Sequence, residues 1–130
     1  MNKIWLIIGG IMGFLSVAIG AFGAHGLKDT LIKNALKGQL DKNHYIDIFE
    51  TGVKYQMFHT LAILLIAYLI HEYPDKNYHW VGICFLAGTV IFSGSLYVLS
   101  ATGIRALGAI TPIGGILFLT GWAILIYKAL

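Results

Sequence analysis

The chain has 130 residues, enough for one domain; 58% are hydrophobic, 12% are charged, and the mean hydropathy is +0.78. Soluble domains average about 45–50% apolar and about 25% charged residues, so a soluble enzyme is excluded, and so is a disordered chain, which needs low hydrophobicity and high net charge. The net charge of +3 gathers mostly in one loop and points to membrane orientation rather than nucleic acid, while the single Cys84 excludes a disulfide framework and a multi-thiolate metal site.

A helix that crosses a hydrocarbon core of about 30 Å needs roughly 20 apolar residues. The first qualifying run covers residues 4–24. Lys3 before it and Ala21-Phe22-Gly23 near its end imitate a signal peptide, but a signal core has about 7–15 residues, so this run is expected to be a span. Gly9, Gly13, Ser16, Gly20 and Gly23 recur along one stripe of it at spacings of 4, 3, 4 and 3. Small residues let helix backbones approach closely in lipid, where apolar burial does not drive association. The stripe therefore predicts a helix contact within one subunit; a homo-oligomer interface is the sharper alternative.

The polar segment over residues 25–47 is the only sizeable one. Lys33 and Lys37 lie on one helical face, roughly opposite Leu31 and Ala35, although Lys28 and Gln39 intrude on the apolar arc. It reads as a short interfacial helix on the headgroups, with its lysines drawn to anionic lipid, or equally as a polar, solvated loop. Asp47 followed three residues later by Glu50 fits a capping pattern for the second span, and Glu50 precedes Lys54 by four in the favourable order. That span is expected over about residues 48–70, and the third over 80–102 with Ala87, Gly94 and Ala101 seven apart. The fourth run covers 106–127 but contains Thr111-Pro112, a suitable cap and first helical residue. Its helix either begins at Pro112 or begins near Ala106 and kinks.

The expected architecture is thus all-α: one integral membrane domain, a bundle of four transmembrane helices with both termini on one side. The terminal side carries Lys3, Lys76 and Lys128; the other carries Lys28, Lys33, Lys37, Lys42, Lys54 and Arg105. Three cations against six place the first loop in the cytoplasm and both termini outside.

Threading the spans gathers polar residues at the loop end: His25, Glu50, Lys54, Tyr55, Gln56, His59, Arg105 and Thr111. His59 falls roughly 6 Å inside Tyr55 at about 1.5 Å per residue, and an ionisable group at depth normally faces the bundle interior. A solute or proton site on His59, Glu50 and His25 is one reading. A metal site lacks any HxxxH or ExxH spacing, and catalysis lacks a nucleophile with an oriented base, since Ser93 and Ser95 have no partner nearby in sequence. The bland reading, in which these groups satisfy one another and pin helix ends, carries the remaining weight.

Four ordered motifs then become recognisable. Gly20-Ala21-Phe22-Gly23-Ala24-His25-Gly26-Leu27 leads into the lysine-bearing loop, and Phe49-Glu50-Thr51-Gly52-Val53-Lys54-Tyr55-Gln56-Met57-Phe58-His59 follows it. Phe92-Ser93-Gly94-Ser95-Leu96-Tyr97 comes next, then Thr102-Gly103-Ile104-Arg105 running into Gly108-Ala109-Ile110-Thr111-Pro112-Ile113-Gly114-Gly115. Over nearly its whole length the chain resembles the small bacterial inner-membrane proteins of the YwdK and YgdD type, a family of unknown function. The segment over residues 34–45 departs from it in being longer and more polar. The resemblance implies four spans in the cytoplasmic membrane and carries over no catalytic residue, cofactor or substrate. The expected function is a non-enzymatic structural or accessory membrane component with membrane lipids as its neighbours. A small oligomeric transporter or channel-like protein is the alternative.

Overall fold

Inside hydrocarbon no water is available to the backbone, so an apolar segment must bond its own N–H and C=O groups as a helix, or close a barrel with its neighbours. The computed structural model describes residues 2–130. In it the chain forms helices α1 (Lys3–His25), α2 (Lys28–Lys37), α3 (His44–Glu72), α4 (His79–Thr102) and α5 (Thr111–Ala129), with 3-10 turns at Pro74–Lys76 and Arg105–Ala109. Four of the helical segments, all but α2, are long and apolar enough to cross a bilayer.

Each span has local stop and start signals. Asn2 caps α1, its side-chain oxygen accepting from the Trp5 amide at 3.3 Å. Gly103 ends α4 at φ +73°, a left-handed conformation that suits glycine, and its amide bonds back to the Leu99 carbonyl. Pro112 sits in the first turn of α5, so the Thr111-Pro112 start describes the fourth span, and residues 105–109 form a separate turn. Thr111 does not cap that helix, however. Its hydroxyl shares a 2.7 Å bond with Ser95 of α4, fastening the two helices instead.

The cap expected at Asp47 is also corrected. α3 begins at His44, about one turn earlier, because Tyr45 and Phe49 must both turn inward beneath α2. Its 29 residues rise roughly 43 Å against a core of about 30 Å, and the charged residues Asp47, Glu50 and Lys54 in its first turns assign the excess to the loop end.

α3 and α4 form the centre; α1 packs mainly against α3, and α5 mainly against α4. Small residues set these distances. Seen from α1, Gly9 faces Leu64, Gly13 faces Thr60, Gly20 faces Val53 and Gly23 holds the ring of Phe49, while Ser16 is buried on the same line. The stripe thus lies on α3 of its own subunit. Between α4 and α5 the approach brings backbone against backbone. A β-carbon on Gly114 would stand 2.5 Å from the Phe92 backbone nitrogen, and one on Gly121 would stand 2.6 Å from the Phe85 ring. The opposite faces of the outer helices, including Ile7, Phe14 and Val17 on α1 and Ile116, Leu119 and Ile126 on α5, are exposed large hydrophobics suited to lipid.

The short helix α2 is present, but its apolar side is used differently from either sequence reading. Leu31 and Ala35 are fully buried against Tyr45, Phe49, Leu96 and Leu99, so α2 closes the end of the bundle. Lys33, Leu36 and Lys37 face outward.

The glycine contacts predict a sharp contrast. Gly114→Ala must push backbone against backbone and is expected to cost at least about 2 kcal/mol, read as a lower melting temperature in detergent. Gly10→Ala, where a β-carbon meets nothing within 4 Å, is expected to leave stability unchanged or slightly raised.

Candidate functional site

One turn of α3 presents two polar side chains to the bundle interior, Gln56 and His59, three residues apart and therefore on one face. Both are almost wholly buried, at 3% and 5% exposure. A polar group in hydrocarbon is costly unless protein satisfies it, and both make bonds to other helices. The Gln56 amide nitrogen donates to the Met12 carbonyl of α1 at 3.0 Å, and its amide oxygen accepts from the Tyr97 hydroxyl of α4 at 2.6 Å. The two ends of one amide thus hold helices on either side of α3.

His59 reaches the remaining span. The Trp122 indole of α5 donates to His59 Nε2 at 3.2 Å, and His59 Nδ1 lies 2.8 Å from the Tyr55 carbonyl one turn back on α3. An indole N–H can only donate, so Nε2 accepts, and Nδ1 carries the hydrogen and donates it in a bond to the Tyr55 carbonyl. That is the neutral imidazole with both nitrogens used. Its ring stacks on Phe118 at a centroid distance of 3.6 Å and a tilt of 12°, and Phe85 meets it edge-on at 5.3 Å. Trp122 in turn lies 4.8 Å from Phe85, so α3, α4 and α5 share one aromatic cluster around the imidazole.

Further ties repeat the pattern. Ser93 donates to the Gly52 carbonyl at 2.7 Å, joining α4 to α3. At the terminal end Trp5 of α1 donates to His79 Nδ1 of α4 at 2.9 Å, and its ring covers Gly82. Each outer helix therefore sends an indole across to a histidine on the central helix that is not its main neighbour. At the loop end Asn34 of α2 donates to the Ser100 and Ala101 carbonyls at 2.8 and 3.1 Å. These are among the four orphan carbonyls at the end of α4. Arg105 fastens the same C-terminal end of α2 by donating to the Gly38 carbonyl at 2.9 Å.

The residues expected to share one loop-end cluster are thus dispersed. Gln56 and His59 lie together inside the bundle, with the Tyr55 carbonyl beside them. Thr111 serves the α4–α5 contact, and Arg105 serves α2. His25 is exposed at the end of α1, while Glu50 and Lys54 are exposed along a groove between α1, α2 and α3. His25, Glu50 and His59 do not converge, because Glu50 lies nine residues before His59 and points toward α1 and α2 at the bundle's rim. Among the described residues, no group of three or more His, Cys, Asp or Glu is placed to hold a metal ion.

Sequence reasoning missed the partners. Tyr97, Trp122, Trp5 and Asn34 carry ordinary signals of their own: an indole or phenol embedded in an apolar run needs a partner for its polar end. Met12 was not findable, since its contribution is a backbone carbonyl. Two hydroxyls on the α1–α3 seam, those of Ser16 and Thr60, are buried without a hydrogen-bond partner.

The four apolar helices agree with what is found among known proteins, whose names describe membrane proteins. Residues 19–115 match the family described as "Protein of unknown function (DUF423)". The chain belongs to this family. It is 43% identical over 128 residues to a UPF0382 membrane protein of Staphylococcus epidermidis, covering 98% of this chain and 96% of that protein. It is 38% identical to the UPF0382 membrane protein YwdK of Bacillus subtilis, over 98% of this chain and 96% of YwdK. To the UPF0382 inner membrane protein YgdD of Escherichia coli K12 it is 39% identical, over 99% of this chain and 91% of YgdD. No solved structure matches the chain. Like these relatives, this family member is an integral membrane protein whose biochemical activity is unknown.

The bond geometry predicts which polar residues matter for stability. Tyr97→Phe removes one hydroxyl and leaves the Gln56 oxygen unpaired, at an expected cost of about 1 kcal/mol. His25→Ala, at an exposed position, is expected to stay within about 0.5 kcal/mol of the parent. Thermal unfolding in one detergent measures both.

Proposed function

We propose that this family member is a non-enzymatic structural or accessory component of the bacterial cytoplasmic membrane. The reading is carried by what the buried polar groups do: Gln56, Ser93 and Tyr97 direct hydrogen bonds to neighbouring helices, and His59 is held between the Trp122 indole of α5 and the Tyr55 carbonyl of its own helix. A site built for proton transfer or solute binding would keep a donor or acceptor directed into an accessible cavity. Membrane lipids are its proposed partners, taken up along the outer faces of α1 and α5. The name of the Escherichia coli relative, an inner membrane protein, supports the cytoplasmic membrane as the location.

The orientation belongs to the same proposal. Six cations at the α2 end against three at the terminal end favour a cytoplasmic α2 with both termini outside. With Cys84 replaced by serine and a new cysteine at the exposed position Lys33→Cys, a membrane-impermeant thiol reagent should label only after the cells are opened. Labelling of intact cells would reverse the orientation.

The competing reading, a small oligomeric transporter, draws on a groove of about 460 Å³ that His59 itself lines, together with Tyr55, Phe92, Pro112, Phe118 and Trp122. Native mass spectrometry of protein released gently from its own membrane separates the two. The structural reading expects His59→Ala to melt earlier while the set of bound species stays the same. A defined oligomer holding a stoichiometric solute that His59→Ala loses without losing stability would replace it with the transport reading.

A further inference from the structure

Glu50 and Lys54, which the helix ties leave unused, line a separate hollow of about 500 Å³ where α1, α2 and the start of α3 meet. Its walls are of two kinds. Gly20, Phe49 and Val53 line an apolar wall, and Lys28, Asn43, Glu50 and Lys54 supply polar groups around it. Gly20 leaves the hollow open, since nothing but the edge of Val53, at 3.4 Å, approaches the place of its missing side chain.

The level of this hollow in the membrane follows from α3. Counted back from Glu72 at about 1.5 Å per residue, a core of about 30 Å ends roughly 20 residues earlier, near Gly52. Glu50 and Lys54 therefore straddle the boundary between hydrocarbon and headgroups. At that level the group of opposite charge to two ammonium ions is a lipid phosphate, and the apolar wall continues toward the acyl chains. Two cations against one carboxylate leave the hollow net positive. Glu50 and Asn43 add hydrogen-bonding groups suited to hydroxyls on a headgroup.

We propose that this groove holds one anionic glycerophospholipid with a hydroxyl-bearing headgroup. Its phosphate lies between Lys28 and Lys54, and an acyl chain runs over Gly20. The site needs only the headgroup level of a leaflet, so it does not depend on which way the chain is inserted. It also does not depend on whether the bundle is structural or transporting.

The test is a lipid titration of the full chain in detergent, followed by native mass spectrometry, with phosphatidylglycerol and phosphatidylcholine of matched acyl chains. The parent protein is expected to retain one phosphatidylglycerol in preference to phosphatidylcholine. A lysine at the membrane surface is worth roughly fivefold in affinity for anionic lipid, so Lys28→Gln with Lys54→Gln should weaken retention by roughly twentyfold or more. Lys33→Gln with Lys37→Gln removes the same charge from the exposed side of α2 and should leave retention unchanged. Gly20→Ala adds one methyl group that meets only Val53, at 3.4 Å, narrows the hollow without touching a charge and should also reduce retention; a melting curve equal to the parent's confirms that the bundle is intact. Equal retention of phosphatidylcholine, or equal loss in both lysine pairs, would overturn the proposal in favour of diffuse surface attraction. Displacement by inorganic phosphate at a concentration similar to that of the lipid would overturn it in favour of a free-anion site.

Discussion

The bundle depends on the cost of leaving a polar side chain unpaired in hydrocarbon. For the two largest polar groups buried inside it, one turn of α3 offsets that cost with bonds to every other span. Gln56 takes a donor from α4 and gives one to α1, while His59, three residues on, accepts the indole of α5. The two residues together join α3 to each of the other spans. Their bonds also fix relative depth: a helix that slid by one turn would move its partner about 5.4 Å away and leave a buried group unpaired.

Packing and hydrogen bonding then reinforce each other. Lipid chains are as apolar as leucine, so helices in a membrane gain little from burying apolar area and associate through close contact and directional bonds. Gly9 and Gly23 bring α1 onto α3, and Gly114 brings the α5 backbone against Phe92 of α4. Those approaches are what place Met12 within reach of Gln56, and Trp122 within reach of His59. The loop-end helix α2 follows the same logic on a smaller scale: Leu31 and Ala35 bury against the bundle while Asn34 satisfies carbonyls that the end of α4 leaves free.

Much of this was legible in the sequence, for physical reasons. Apolar runs of spanning length have few alternatives, so the four helices could be read directly, while the start of the last one stayed open between Pro112 and a kinked helix from Ala106. The Gly9–Gly23 stripe marked a contact face, and the cost of burying Gln56 and His59 marked them as important. Their partners were not readable, because which residue of one helix meets which of another depends on crossing angle and relative depth, and neither leaves a periodic trace. Most of the acceptors are backbone carbonyls, those of Met12, Gly52 and Ser100 among them, which no side chain announces. The amphipathic pattern of α2 showed an apolar face but not what covers it, and grouping the loop-end charges by depth alone joined Glu50 to His59 although they lie on different sides of α3.

The central claim is that the polar side chains of α3 act as ties between helices, and a double-mutant cycle across α3 and α5 tests it most directly. The parent, His59→Phe, Trp122→Phe and the double variant would be unfolded in the same detergent. The ties predict a coupling energy of about 0.6 kcal/mol, and up to about 1.7 kcal/mol, the range measured for hydrogen bonds between membrane helices. Strictly additive losses would contradict the account, because they would mean that His59 and Trp122 contribute to the bundle independently.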